Sequence, residues 1–158
     1  MQTCRGFGRL MRPGAWWICG AAVMLASTAV AAADFRAVAD PAAVLYDAPS
    51  TKARKLHILG RGYPVEVVVA VEGWTKIRDA AGELAWIEAK SLGERRSIMV
   101  TAKIADVRQA ADDKAPLVFQ AEQYVLLDLV ELTGTGWARV VHRDGQGGYI
   151  RLNLVWGA

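Results

Sequence analysis

Aromatic side chains are the residues of this sequence whose types and spacing best suit a chemical role, and that role is ligand binding. Trp74 and Trp86 flank a Gly-containing turn, so they belong to successive strands of a hairpin and their rings could line one cleft. Tyr46, just before a proline-containing loop, could close its other side. Flat rings with polar edges suit extended peptides or sugar rings. These three residues are our first candidate site, and a core position for Trp86 is the alternative.

Three further candidates, which are aromatic or basic, lie later in the chain. A fourth lies in a basic loop that follows Tyr46. Trp137 and Tyr149 stand in the same relation to each other as Trp74 and Trp86, and Arg108 opens that second region as Tyr46 opens the first. Arg54 belongs to the basic run at residues 52–55 and could attract a carboxylate such as a peptide terminus. A solvated loop is the alternative for that run.

Catalytic and metal-binding chemistry is poorly provided for by the sequence. His57 and His142 have no histidine or cysteine at the local spacing that a zinc site requires, and both read as surface residues. No Gly-x-Ser-x-Gly elbow or phosphate-binding glycine loop occurs. We therefore expect no enzyme activity, no catalytic residues, no metal site and no cofactor.

The elements that must position the aromatic residues are encoded twice. The positions that recur at one offset of 63 residues are Trp74 and Trp137, Ile77 and Val140, Gly82 and Gly145, Trp86 and Tyr149, and Ile87 and Ile150. Such a repeat defines the building unit of a fold. The unit is about sixty residues long and predicts a small module present twice.

Each unit has the pattern of short β-strands joined by tight turns. The β-branched run at residues 64–71 favours a strand, and residues 124–132 play the same part in the second unit. Asp144-Gly145 is typical of a tight hairpin turn. We predict five short strands per unit, closed by a single 3₁₀ turn at residues 89–92 and at residues 152–155. A unit of this size is marginal when alone, so we expect the two to pack against each other.

The first 33 residues predict a secretory signal peptide. Arg5, Arg9 and Arg12 precede a stretch free of charge, and small residues at positions 31–33 suit a signal peptidase. An uncleaved membrane anchor is the alternative. Cleavage after Ala33 or a neighbouring alanine would remove both cysteines, Cys4 and Cys19, and send the protein to the periplasm or outside the cell.

Removal of this segment also changes the charge of the chain. The whole sequence has a net charge of +3, and the three arginines of the first segment account for it, leaving sixteen basic and sixteen acidic residues. A balanced surface gives no support to a nucleic-acid partner. We also expect no membrane span after cleavage. The predicted domains are residues 34–92 for module 1, 93–97 for a linker and 98–158 for module 2.

The repeated pattern resembles the bacterial SH3-like domain family, called SH3b. Its marks here are the opening at residues 44–49, the long aliphatic strand at residues 62–68, and the Gly-Trp elements at Trp74 and Trp86. The second copy departs from the pattern, with no proline after Arg108 and with Tyr149 in place of the second tryptophan. The resemblance implies an all-β fold of two tandem small SH3-like β-barrels packed against each other after an N-terminal signal peptide.

The same resemblance implies a recognition module of the bacterial envelope. We expect a non-enzymatic periplasmic protein that recognises a peptidoglycan peptide or another cell-envelope ligand, with module 1 as the favoured binding copy. The alternative is a protein–protein interaction adaptor or regulator in the periplasm. The partner is then a cell-wall peptide or an envelope protein.

Overall fold

The computed structural model describes residues 33–158, and all of the predicted signal peptide before Ala33 lies outside the described residues. Cys4 and Cys19 also lie outside them. In the described part of the chain, no helix has the length and apolar character needed to span a membrane.

The first half of the described chain forms a seven-stranded antiparallel sheet, here called module 1. Its strands are β1 (Asp34–Val38), β2 (Ala42–Tyr46), β3 (Lys55–Gly60), β4 (Pro64–Val71), β5 (Trp74–Arg78), β6 (Leu84–Glu88) and β7 (Leu92–Gly93). Their order in the sheet is β3-β2-β6-β5-β4-β1-β7, so the long strand β4 pairs with β1 at its start and with β5 at its end.

The second half forms a second seven-stranded antiparallel sheet, module 2, with the same plan. Its strands are β8 (Ser97–Val100), β9 (Ile104–Arg108), β10 (Leu117–Glu122), β11 (Leu126–Leu132), β12 (Trp137–Val141), β13 (Gly147–Arg151) and β14 (Val155–Trp156). The order β10-β9-β13-β12-β11-β8-β14 repeats that of module 1 strand for strand. The 3₁₀ turns Ala89–Ser91 and Leu152–Leu154 lie where the sequence predicts them. The prediction of five strands per unit was wrong, because each sheet has seven, including a short strand after its 3₁₀ turn.

The pairing of the strands shows that the offset between the two copies is not constant. Tyr46 is the sheet partner of Trp86, and Arg108 is the partner of Tyr149, so the first pair of equivalents lies 62 residues apart and the second pair 63. The extra residue lies in the turn between β11 and β12, which contains Gly134 and Gly136 at positive φ where module 1 has Gly73 alone. The repeat found in the sequence is therefore the part of each module that follows this turn.

Each module has its own apolar core, built by the alternation of side chains along its strands. The fully or nearly fully buried apolar residues of module 1 are Val38, Ala43, Leu45, Leu59, Val65, Ile77, Ala85 and Ile87. Those of module 2 are Ile98, Val100, Ala105, Val107, Ala121, Leu127, Ala138, Val140 and Ile150. The neighbouring residues on the same strands consequently point away from the core, and these include every aromatic residue proposed as a binding group.

The two modules pack against each other, as expected from their size. The Ser97 hydroxyl of module 2 donates a hydrogen bond of 2.6 Å to the Gly62 carbonyl of module 1. The rings of Phe35 and Trp156 meet edge to face with centroids 5.1 Å apart. Gly157 approaches Pro64 so closely that a Cβ added there would lie 2.8 Å from the proline Cβ.

The connection between the sheets consists of residues 94–96, since β7 ends at Gly93 and β8 begins at Ser97. It is bonded to both modules. The Arg95 carbonyl accepts a hydrogen bond of 3.2 Å from the Ala37 amide in β1, and the Arg96 carbonyl accepts one of 3.0 Å from the Leu129 amide in β11. The connection is therefore part of the folded unit.

Candidate functional site

Tyr46, Trp74 and Trp86 lie together on the outer face of module 1, on the neighbouring strands β2, β5 and β6. The rings of Tyr46 and Trp74 meet edge to face with centroids 5.3 Å apart, and Tyr46 is directly paired with Trp86 across the sheet. Tyr46 is 6% exposed, whereas both tryptophans are half-buried. Trp86 is thus not a core residue, because Ala85 and Ile87 on either side of it fill the barrel. We call these three residues the module 1 aromatic face.

Charged groups of both signs border the module 1 aromatic face. The Lys76 ammonium lies 5.9 Å from the centre of the Trp86 ring, and Glu88 is the cross-strand partner of Trp74. Glu88 also pairs with Lys90 at 2.6 Å, and this hydrogen bond raises the pKa of the Lys90 ammonium above its usual value. A ligand lying on the rings would therefore meet a cation on one side and an ion pair on the other.

Arg54 is engaged within its own loop. Its guanidinium Nε donates to Asp47 Oδ2 at 3.3 Å, and its backbone amide donates to Asp47 Oδ1 at 3.1 Å. The Arg54 side chain is highly exposed, so solvent screens the pair. Asp47 thereby supplies the carboxylate that the sequence analysis expected from a ligand.

The equivalent face of module 2 is covered by its own side chains. Trp137 is 4% exposed because the Arg151 guanidinium stacks over its ring, 4.5 Å from the centroid. Arg151 is held there by the carboxylate of Asp113, in the loop between β9 and β10, and this bond lowers the pKa of Asp113 below its usual value. The residue equivalent to Arg151 in module 1 is Glu88, so the two faces differ in the group that lies against the indole.

Arg108 and Tyr149 occupy the remaining positions of the module 2 face. Arg108 donates to Asp106 Oδ2 at 2.7 Å and to the Ala115 carbonyl at 2.9 Å, so its guanidinium fixes the neighbouring loop. Tyr149 is half-buried beside it as its sheet partner. Of the seven predicted site residues, the structure therefore brings Tyr46, Trp74 and Trp86 together in module 1 and Arg108, Trp137 and Tyr149 together in module 2, and it leaves Arg54 bound to Asp47.

The sequence analysis missed Lys76 and Glu88, although a signal was available. Each lies two residues after a tryptophan, and strand residues two apart share a face of the sheet. It also missed Arg151, which follows Tyr149 at the same spacing. Strand alternation applied to the Trp-containing strands would have found all three.

His57 is not the isolated surface residue that the sequence suggested. Its Nε2 lies 3.7 Å from Oδ2 of the buried Asp79, and Glu83 extends toward the same point. Within residues 33–158 this group has the donor types of a metal site, and it lies away from the module 1 aromatic face, at the turn between β5 and β6.

A cleft of about 840 Å³ lies where the two modules meet. Its lining includes Arg61 and Ala37 of module 1, Arg95 of the connection, and Tyr124 and Asp128 of module 2. Tyr124 is 68% exposed. Its backbone φ is 69°, a conformation that residues other than glycine seldom adopt. The cleft is thus another region of the described chain that could receive a ligand.

Comparison with known proteins gives a family match over most of the described chain. The model of the family described as "Bacterial SH3 domain" matches residues 39–94 and again residues 101–157. Each range begins just after the first strand of its sheet, β1 or β8, and covers the other six strands. A comparison with curated proteins finds no match.

Solved structures with a similar arrangement include three of the NlpC type. NlpC2 from Trichomonas vaginalis is 17% identical with a TM-score of 0.35, and the alignment covers 77% of this chain and 46% of that one. NlpC1 from the same organism is 17% identical with a TM-score of 0.36, covering 77% and 44%. An NlpC/P60 family protein from Bacillus cereus is 18% identical with a TM-score of 0.34, covering 77% and 55%. The chain thus spans about half the length of these proteins.

Proposed function

Because the chain belongs to the bacterial SH3 domain family and carries two copies in tandem, we propose that it is a non-enzymatic binding protein of the bacterial cell envelope. Its ligand is a peptide of peptidoglycan, and the binding surface is the module 1 aromatic face. The signal peptide predicted at residues 1–33 would deliver it to the periplasm.

The observation that carries the proposal is the contrast between the two equivalent faces. In module 1 the indoles of Trp74 and Trp86 are only half-buried beside Tyr46. In module 2 the guanidinium of Arg151 already occupies the equivalent surface. Because an aromatic surface binds by its exposed area, module 1 is the copy that retains the capacity to bind.

The charges that border the module 1 aromatic face suit a short peptide with both an amine and a carboxylate. Lys76 can attract a carboxylate, and Glu88 can accept a hydrogen bond from an amine. Stem peptides that contain a diamino acid carry both groups. The aromatic rings would supply contact area, and the two charges would set the direction in which the peptide lies.

A sedimentation assay with isolated peptidoglycan sacculi tests this proposal. We expect the purified protein to sediment with sacculi, and Trp74→Ala to weaken binding by about 10- to 30-fold, since an aromatic anchor at the centre of an interface is worth about 2 kcal/mol. Tyr124→Ala is the matched control, because it removes an exposed ring in the cleft and leaves the module 1 aromatic face intact. Absence of sedimentation, or equal binding by Trp74→Ala, would contradict wall binding through this face.

An adaptor function is the second candidate, and one feature of the long strands favours it. The last part of β4 exposes Val68, Val69 and Val71, and β11 exposes Val130 and Leu132. Apolar side chains gathered on a strand can dock a partner protein. Crosslinking in intact cells followed by mass spectrometry separates the two candidates, because an adaptor gives one dominant protein partner and a wall-binding protein gives muropeptides.

A further inference from the structure

We propose that His57, Asp79 and Glu83 form a binding site for a divalent transition-metal ion, with Zn²⁺ as the reference ion. This site goes beyond the proposed binding function, because it is formed by His57 of β3 and the turn between β5 and β6 and shares no residue with the module 1 aromatic face.

The donor atoms of the three side chains already converge. One ligand atom from each residue lies within 4.8 Å of the others, and His57 Nε2 lies 3.7 Å from Asp79 Oδ2. In a tetrahedral zinc site with bonds of about 2.1 Å, neighbouring donors lie about 3.4 Å apart. The His57–Asp79 pair therefore needs only a small movement. Glu83 is exposed and long enough to close the remaining distance by a change of rotamer.

Asp79 offers an oxygen whose hydrogen-bonding capacity is unused. The side chain is 8% exposed, and its Oδ1 accepts hydrogen bonds from the backbone amides of Ala81 and Glu83 at 2.9 and 2.8 Å. Within residues 33–158, Oδ2 accepts no hydrogen bond, and Nε2 of His57 lies 3.7 Å from it. A cation between Asp79 and His57 would bind this oxygen and the imidazole nitrogen together.

The donor types indicate the class of ion. Imidazole nitrogen with carboxylate oxygen suits zinc and its neighbours among the first-row metals, whereas Ca²⁺ and Mg²⁺ favour sites made of oxygen alone. Three protein ligands leave a fourth position for water. The backbone bonds of Asp79 hold one ligand rigidly, so little order has to be created when the ion binds.

The equivalent positions in module 2 lack this set of metal ligands. The residues equivalent to His57, Asp79 and Glu83 are Phe119, His142 and Gln146, and the rings of Phe119 and His142 lie 6.0 Å apart. The turn keeps its backbone pattern, because the His142 amide donates to the Gln146 carbonyl at 2.8 Å as the Asp79 amide donates to the Glu83 carbonyl at 3.0 Å. The fold therefore does not require the ligand set, and module 2 supplies replacements that the scaffold tolerates.

Isothermal titration of the metal-free protein with Zn²⁺ tests the site. We expect one saturable ion per chain and a rise in Tm when the ion is added, since a ligand bound only by the native state stabilises it. His57→Phe and Glu83→Gln, which install the module 2 residues, should each weaken Zn²⁺ binding by about tenfold or more. Asp79→Asn should weaken it as well, while its amide oxygen can still accept the bonds from Ala81 and Glu83.

Controls separate this site from incidental binding. His142→Ala removes the other histidine of the described chain, and Glu72→Gln removes an exposed carboxylate outside the cluster, and both should bind Zn²⁺ as the parent does. Circular dichroism of each variant without metal shows whether it folds. No saturable binding by the parent overturns the proposal. So does binding that survives His57→Phe and Glu83→Gln in folded protein or is lost in His142→Ala.

Discussion

At the scale of single residues, one pair of equivalent positions shows how the packing of the two modules differs. Ala85 is a core residue of module 1 and precedes Trp86 in the chain. Its equivalent in module 2 is Gly148, which precedes Tyr149. A Cβ added to Gly148 would meet the Arg108 carbonyl oxygen at 2.6 Å and Val107 Cγ1 at 2.7 Å. β9 and β13 are therefore too close to admit the methyl group that module 1 accepts.

Gly148→Ala should consequently destabilise module 2. We expect a loss of about 1–3 kcal/mol in the free energy of unfolding, because the added carbon overpacks a backbone contact. Gly60→Ala is the matched control, since its Cβ would meet no atom within 4 Å, and it should change stability little. Urea unfolding followed by tryptophan fluorescence measures both, and equal stability of the two variants contradicts the prediction.

The residue scale also shows what the sequence could and could not predict. The placement of Trp74 and Trp86 on one hairpin follows from local spacing, and the structure agrees. The contact of His57 with Asp79 could not be predicted, because β3 is an edge strand separated from β5 by two others in the sheet order. Only the curling of the sheet brings such residues together.

At the scale of elements, the loop between β9 and β10 acts on the module 2 face. Asp113 in this loop holds Arg151 over Trp137, as described above. Local spacing in the sequence gives no indication that the loop containing Asp113 folds back to β13. A contact between residues 38 positions apart depends on tertiary structure.

Asp113→Ala should therefore expose the Trp137 indole. Without its carboxylate partner, Arg151 gains freedom and leaves the ring accessible to solvent, and acrylamide should quench tryptophan fluorescence more strongly than in the parent. Asp112→Ala is the matched control, because Asp112 bonds only to the backbone of its own loop. Unchanged quenching in Asp113→Ala would show that Arg151 needs no anchor.

Acid should have the same effect as the substitution. The folded-state pKa of Asp113 is lowered from 3.8 by the hydrogen bond from Arg151, so the pair is present above that pH. It is lost as the pH falls through the lowered folded-state pKa. The increase in quenching should accordingly appear only in strongly acidic solution and be absent in Asp113→Ala.

At the scale of the whole molecule, the two modules behave as one folded unit. The repeat and the small size of each copy predicted that the modules would pack together, and the structure agrees. The atoms that make the contact could not be predicted, because neither the Ser97 hydroxyl nor the Gly62 carbonyl carries a sequence signal for pairing between the modules. Their hydrogen bond is partly buried, with Ser97 3% exposed.

Ser97→Ala should weaken the contact between the modules. It leaves the Gly62 carbonyl without its partner at a partly buried position, at a cost of about 1 kcal/mol. Ser91→Ala is the matched control, because Ser91 is also buried but its hydroxyl makes no hydrogen bond within residues 33–158. Differential scanning calorimetry should show a lower Tm for Ser97→Ala than for Ser91→Ala, and equal values would mean that this bond contributes nothing.

The short connection at residues 94–96 has a consequence for the strength of the contact that the modules need. Three extended residues reach only about 10 Å. The effective concentration of each module near the other is therefore very high. Contacts too weak to join two separate molecules are then sufficient. A module transplanted by itself into a chimeric protein would lose that advantage, together with the Arg95 and Arg96 carbonyls that bond to β1 and β11. The pair, rather than the single barrel, is thus the portable unit for engineering.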